Sequence, residues 1–196
     1  MPQARAIATQ SRLTAAAREL FGTRGYEATS IEAVLERAGV KRGALYHHFA
    51  GKHALFDAVL EQVVADVALA GMDAACAHAD PLESLRAGAG SWLRESLDPA
   101  VQQIVLIDAP AVVGWHRWRE LDDQHILGGV RGSLQALDAT GRLPAGADVD
   151  MLANMLLASV NEAALVIARA DDQDRALATG LASVDMILDR LVTLPG

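Results

Sequence analysis

The sequence predicts an all-α fold in two parts: a three-helix N-terminal domain over residues 1–51 and a longer helical domain over 52–196. Three observations predict it. The composition is 52% hydrophobic and 21% charged, rich in the helix formers Ala and Leu and free of alternating β-branched runs. Apolar residues recur at spacings of three and four along most of the chain. Charge also divides the chain. Residues 1–53 hold eight basic side chains against four acidic ones, whereas the remainder holds nine against 21, within a net charge of −8. Only the first quarter is basic enough to attract phosphate, and both lysines, Lys41 and Lys52, lie there.

The first helix is expected from about Thr9 to Thr23, with Leu13, Ala16, Ala17, Leu20 and Phe21 on one face and Gly25 ending it in the left-handed conformation. Thr29-Ser30-Ile31-Glu32 reads as a capping box that opens the second helix, the Thr29 hydroxyl accepting from the Glu32 amide. Ile31, Val34, Leu35 and Ala38 form its buried face. Gly39-Val40 interrupts it, and Lys41 to Phe49 forms the third helix. Two short helices joined by a tight glycine turn make a helix-turn-helix. Val40, Leu45 and Phe49 anchor the third helix, leaving Lys41, Arg42, Ala44, Tyr46, His47 and His48 outward. Such a face suits a major groove: cations and hydroxyls hold phosphates, and small residues let the helix approach base edges.

From Phe21 to Ile31, and from Ala38 through Gly51-Lys52-His53-Ala54-Leu55, the chain closely resembles the TetR family of transcriptional regulators. The resemblance covers about Arg5 to Val64. His53, where an acidic residue is commoner, and Lys41, where alanine or a small hydroxyl is commoner, depart from the pattern. The resemblance implies phosphate contacts from Thr29 or Ser30, Tyr46, His47 and Lys52, and base contacts from Lys41, Arg42 and Ala44. Arg42 is the expected guanine reader, since a guanidinium bonds O6 and N7 together. Implied partners are a double-stranded, near-palindromic DNA operator, a second copy of the chain, and an apolar or amphipathic small-molecule effector. The function so implied is a ligand-responsive repressor.

Beyond Gly51 long helices are expected. The first runs from Lys52 to about His78 and links the basic head to the acidic body as a lever. Asp80-Pro81 opens the next, through about Leu97, and Asp98-Pro99 another, ending near Pro110. A single helix is expected from Gly114 to about Ala139. The last two run from about Asp148 to Ala170 and Asp172 to Val192, and the resemblance implies that they pair with their counterparts in a dimeric four-helix bundle.

For a ligand pocket the candidates are Trp115, Trp118 and Arg119, which share a helix face, with Asp108, Trp92, Met155 and Asn161. Asp108 sits in so apolar a stretch that it needs a partner: Arg119, His116 or a Trp N–H. The small residues at Ala87-Gly88-Ala89-Gly90 and Gly128-Gly129 either leave room between helices or allow close packing.

Other classes fit less well. No charge-free apolar stretch is long enough to span a membrane, and the N-terminus lacks the core of a secretory signal. The single cysteine, Cys76, fits a reducing cytoplasm and is expected as a buried thiol. Asp122-x-x-His125 has metal-pair spacing but no second pair, and neither a phosphate loop nor a nucleophile elbow appears. The sequence therefore calls for no enzyme activity, metal or cofactor. A DNA-binding module without an effector is the remaining alternative, and the long acidic body argues against it.

Overall fold

The structure is a computed structural model and describes residues 2–192, whose regular elements are all helices, with no strand. In chain order the α-helices are α1 (Pro2–Ala28), α2 (Ile31–Ala38), α3 (Arg42–His48), α4 (Lys52–Cys76), α5 (Pro81–Glu95), α6 (Pro99–Val101), α7 (Ala109–Val112), α8 (Gly114–His125), α9 (Leu127–Ala139), α10 (Val149–Ala168) and α11 (Gln173–Leu191). A π-helical stretch, Gln102–Asp108, joins α6 to α7. Packing groups the chain into two compact units. One takes in residues up to Val64 together with Pro99–Arg119; the other takes in Ala65–Asp98 and the chain from Glu120 onward. The N-terminal helices thus pack with Pro99–Arg119, a partner that a division at Gly51 does not include.

In the first unit α1 packs on α2, α3 and the π-helical stretch around buried Leu13, Ala17, Phe21, Val34, Leu45 and Phe56. Phe21, Tyr26 and Phe56 form an aromatic triangle, with edge-on Phe56 5.1 Å from each of the other two centroids. The α1 kink falls at Gly25, as expected, but with φ 78° and ψ 168° its backbone lies outside the left-handed helical region, and one more helical turn follows to Ala28. The α2 cap is displaced by one residue. Ser30, not Thr29, is the N-cap and accepts from the Ala33 amide, so Glu32 has no place in a reciprocal box. Gly39 closes α2 in the left-handed conformation, φ 62°, and the Arg12 guanidinium donates to the carbonyls of Ala38 and Gly39.

Pro110 does not stop the segment from Pro99. The helix widens to a π-helix first, with the Ala109 N–H reaching Ile104 O, and continues to Val112. Proline has no N–H to give and its ring crowds the carbonyl four residues back; the wider turn relieves both constraints.

In the second unit α5 packs against α9, α10 and α11. The predicted helix from Gly114 to Ala139 is divided at Ile126, whose φ of −119° leaves the helical range. Asp80, Asp148 and Asp172 cap α5, α10 and α11 through their side chains. Buried Asp122 accepts from Asn161 Nδ2 at 2.9 Å, and Arg86 bridges Asp185 at 2.7 Å and Asp189 at 2.8 Å. By length and composition α10 is the one described helix apolar enough to cross a membrane, although it carries Asp150 and Glu162 and buries Ala153, Leu157 and Ile167. Cys76, expected as a buried thiol, is exposed in the last turn of α4.

The Arg142 guanidinium, and then the Glu83 amide, hold the Asp80 carboxyl below the usual carboxylate range. A depressed folded-state pKa stabilises the fold above the ordinary value and ceases to do so as pH falls through the depressed one. Asp80→Asn keeps a capping oxygen but loses the ion pair. Denaturant titrations should show the parent ahead of this variant at neutral pH, with the gap closing in strong acid; a gap independent of pH contradicts the assignment.

Candidate nucleic-acid interface and internal cavity

The third helix divides in the main as its sequence predicts, although Val40, the third expected anchor, is only half-buried. Leu45 and Phe49 are buried, while Lys41, Arg42, Tyr46 and His47 are exposed and Ala44 and His48 are half-buried. Lys41 is the N-cap residue of α3, so the exposed cations sit at the helix start, the end that enters a groove in this motif. Arg42 pairs with Glu32 of α2 in an exposed ion pair. Binding guanine requires Arg42 to exchange that carboxylate for O6 and N7. The exchange is inexpensive, because exposed pairs contribute little. Arg37 similarly holds Glu19, with both carboxylate oxygens within 3.0 Å of Nε.

Two of the expected phosphate contacts have structural duties at the end of α1. Thr29 is 1% exposed, and its hydroxyl hydrogen is shared between Gly25 O at 2.8 Å and Leu20 O at 3.2 Å. The Lys52 ammonium lies 2.8 Å from Tyr26 O, 3.5 Å from Glu27 O and 4.1 Å from the Tyr26 ring centre. A cation here meets the negative end of a helix, where carbonyls lack partners. Asp108 completes the junction by accepting the Tyr26 N–H at 2.7 Å. The kink at Gly25 takes that N–H out of the helical ladder, so the partner that Asp108 needs is a backbone amide, not Arg119, His116 or a tryptophan. Nearby, His53 Nε2 lies 3.1 Å from Val112 O, and Arg117 bridges Asp57 at 2.9 Å and Glu61 at 3.0 Å.

Within the second unit lies a cavity of about 430 Å³. Its wall is apolar and small-residued: Val67, Gly71 and Met72 from α4, Leu85, Gly88, Ala89 and Trp92 from α5, Ile126 just before α9 and Val130 within it, Leu157 and Val160 from α10, and Val184 and Leu188 from α11. Gly88, Ala89 and Gly129 line it, and Gly88 also lets α5 approach α4 closely, since a Cβ there would lie 3.6 Å from Gly71 O. A volume of this order suits a small organic molecule.

Two family models match the chain. "Bacterial regulatory proteins, tetR family" matches residues 13–59, and "Tetracyclin repressor-like, C-terminal domain" matches residues 82–191, more than half of the chain. This chain belongs to the TetR family. Like its relatives it is a DNA-binding transcriptional regulator. A TetR-family transcriptional regulator from Pectobacterium atrosepticum shares 33% identity and a TM-score of 0.83, over 98% of each chain. The Transposon Tn10 TetC protein of Escherichia coli is 29% identical over 76% of this chain and 74% of its own. The A-factor receptor protein of Streptomyces griseus is 42% identical over 33% of this chain, a stretch amounting to only 24% of that protein.

The TetR-type ligand candidates read from sequence scatter. Trp92 lines the cavity. Trp115, Trp118, Arg119 and Asp108 belong to the first unit, where Trp118 is buried and Trp115 is 62% exposed against it at 4.9 Å. Asn161 is buried on Asp122, and Met155 is exposed; neither is in the cavity wall. Trp115 and Trp118 stood out by residue type and a shared helix face, whereas the aliphatic residues of the cavity wall look like any helical core.

Lys52→Met tests the altered role of Lys52. Loss of the charged bond to Tyr26 O, itself half-buried, should cost about 1–2 kcal/mol of stability. The salt dependence of DNA binding should stay unchanged; a phosphate contact would instead reduce the slope by about one.

Proposed function

We propose that the chain is a homodimeric, effector-responsive repressor without catalytic activity, and that it places α3 of each copy in successive major grooves of a near-palindromic operator. The observation that carries the reading is the exposed face of α3, with Lys41, Arg42, Tyr46 and His47 outward and Leu45 and Phe49 locked beneath. Lys41 and Arg42, with Ala44, meet base edges; Ser30, Tyr46 and His47 meet phosphate. Thr29 and Lys52 act one step back by shaping the end of α1.

Dimerisation is supported by apolar side chains left outward on the last two helices. Met151, Met155 and Val166 on α10 and Met186 and Ile187 on α11 are each at least 45% exposed. Apolar residues on neighbouring turns of two packed helices mark an interaction surface, and a two-fold pair reads twice the bases that one motif can. The cavity in the second unit receives the effector. The continuous helix α4 supplies Leu55, Phe56 and Val59 to the first unit's core and Val67, Gly71 and Met72 to that cavity. Occupancy that shifts α4 changes DNA affinity; a coupling of about 1–3 kcal/mol suffices for a switch.

Titration of parent and Arg42→Ala against operator duplexes tests the reading. The variant should lose about 1–3 kcal/mol on its best duplex and relax specificity at one base pair per half-site. Unchanged affinity and specificity would remove Arg42 from base reading. Met186→Glu should turn the dimer into a monomer in sedimentation velocity and abolish tight binding; a variant that stays dimeric puts the interface elsewhere.

A further inference from the structure

The cavity of the second unit carries more chemical information than its volume. Its lining includes no Asp, Glu, Lys or Arg. An ion entering such a site gives up hydration with no Asp, Glu, Lys or Arg to replace it, so the wall disfavours charged molecules. Two of the polar groups in the wall have already committed their hydrogens. Ser84 Oγ donates to His78 O at 3.0 Å, and Ser159 Oγ donates to Met155 O at 2.8 Å. His78, His125 and Cys76 are exposed and therefore reach water, and Ser133 is only half-buried.

Trp92 differs from all of these. It lines the cavity, and its indole Nε1 is buried without a hydrogen-bond partner among the described residues. Indole Nε1–H is a donor only, so nothing but an acceptor satisfies it, and buried donors without one are rare. Gly88 and Ala89 lie one turn before Trp92 on the same face of α5, and Gly71 lines the same cavity from α4. Small residues of both helices thus border the same cavity as the indole.

Building on the reading of this cavity as the effector site, we infer that it takes an uncharged, largely apolar small molecule carrying an acceptor oxygen, and that Trp92 Nε1–H is the donor that selects it. Apolar burial supplies the affinity; the buried indole donor fixes the orientation and discriminates against hydrocarbons of the same shape.

Three matched probes test this on the full chain: 2-acetylnaphthalene, which has the acceptor, 2-ethylnaphthalene, which lacks it, and 2-naphthoate, which is charged. Calorimetry should rank the ketone about 3–10-fold tighter than the hydrocarbon, the range expected of one neutral hydrogen bond, with the carboxylate weakest. Trp92→Phe should erase the preference for the ketone while leaving the hydrocarbon bound. In the parent, the Trp92 indole N–H resonance should move downfield with the ketone and not with the hydrocarbon. Trp115→Phe and Trp118→Phe identify that resonance by elimination among the three tryptophans, even if Trp92→Phe does not fold. Equal binding of ketone and hydrocarbon, an unmoved Trp92 resonance, or tightest binding of the carboxylate overturns the inference and leaves the effector cavity standing. Binding of none of the probes overturns both.

Discussion

The first unit depends on how its first helix ends. At Gly25 the chain leaves the helical path, and the backbone groups around it lose their ladder partners. Three side chains, two of them distant in sequence, take over. Thr29 satisfies the carbonyls of Gly25 and Leu20, Lys52 that of Tyr26, and Asp108 the Tyr26 N–H. The entrance to α2, the first turn of α4 and the π-helical stretch are thereby tied to one point. The orientation of α2 and α3, and with it the face offered to DNA, follows from that junction and from Leu45 and Phe49 below.

Basic charge in this head is more constrained than a count suggests. Arg12 closes the end of α2, Arg37 is held by Glu19, and Lys52 faces carbonyls. The cations at the start of α3, Lys41 and Arg42, are exposed, and only an exposed carboxylate, Glu32, competes for Arg42. Arrangement on one helix turn, not the net charge of −8, is what makes DNA a plausible partner for so acidic a chain.

The helices and the buried-outward division of α3 were legible in the sequence because periodicity and capping are local signals. Asp80, Asp148 and Asp172 announced three helix starts, and the Leu45/Phe49 anchors followed from spacing. What could not be read depends on distant partners. Thr29 and Ser30 are equally good caps on paper; Thr29 is drawn inward by carbonyls that only the kink exposes. The break at Ile126 and the π-helix before Pro110 are adjustments to packing, with no motif of their own. The cavity wall was legible only in part: Trp92 and the small residues Gly88, Ala89 and Gly129 stood out in the sequence, whereas the aliphatic residues around them look like any helical core.

Selection of bound sequences from a random duplex library with the purified protein probes α3 as the DNA reader. A two-fold symmetric motif should be enriched, its half-sites about one helical turn apart, ~10 base pairs or a small multiple of it, each with a guanine at the position lost when Arg42 is replaced. No enrichment above the starting library, or an asymmetric motif bound by a single copy, would contradict it.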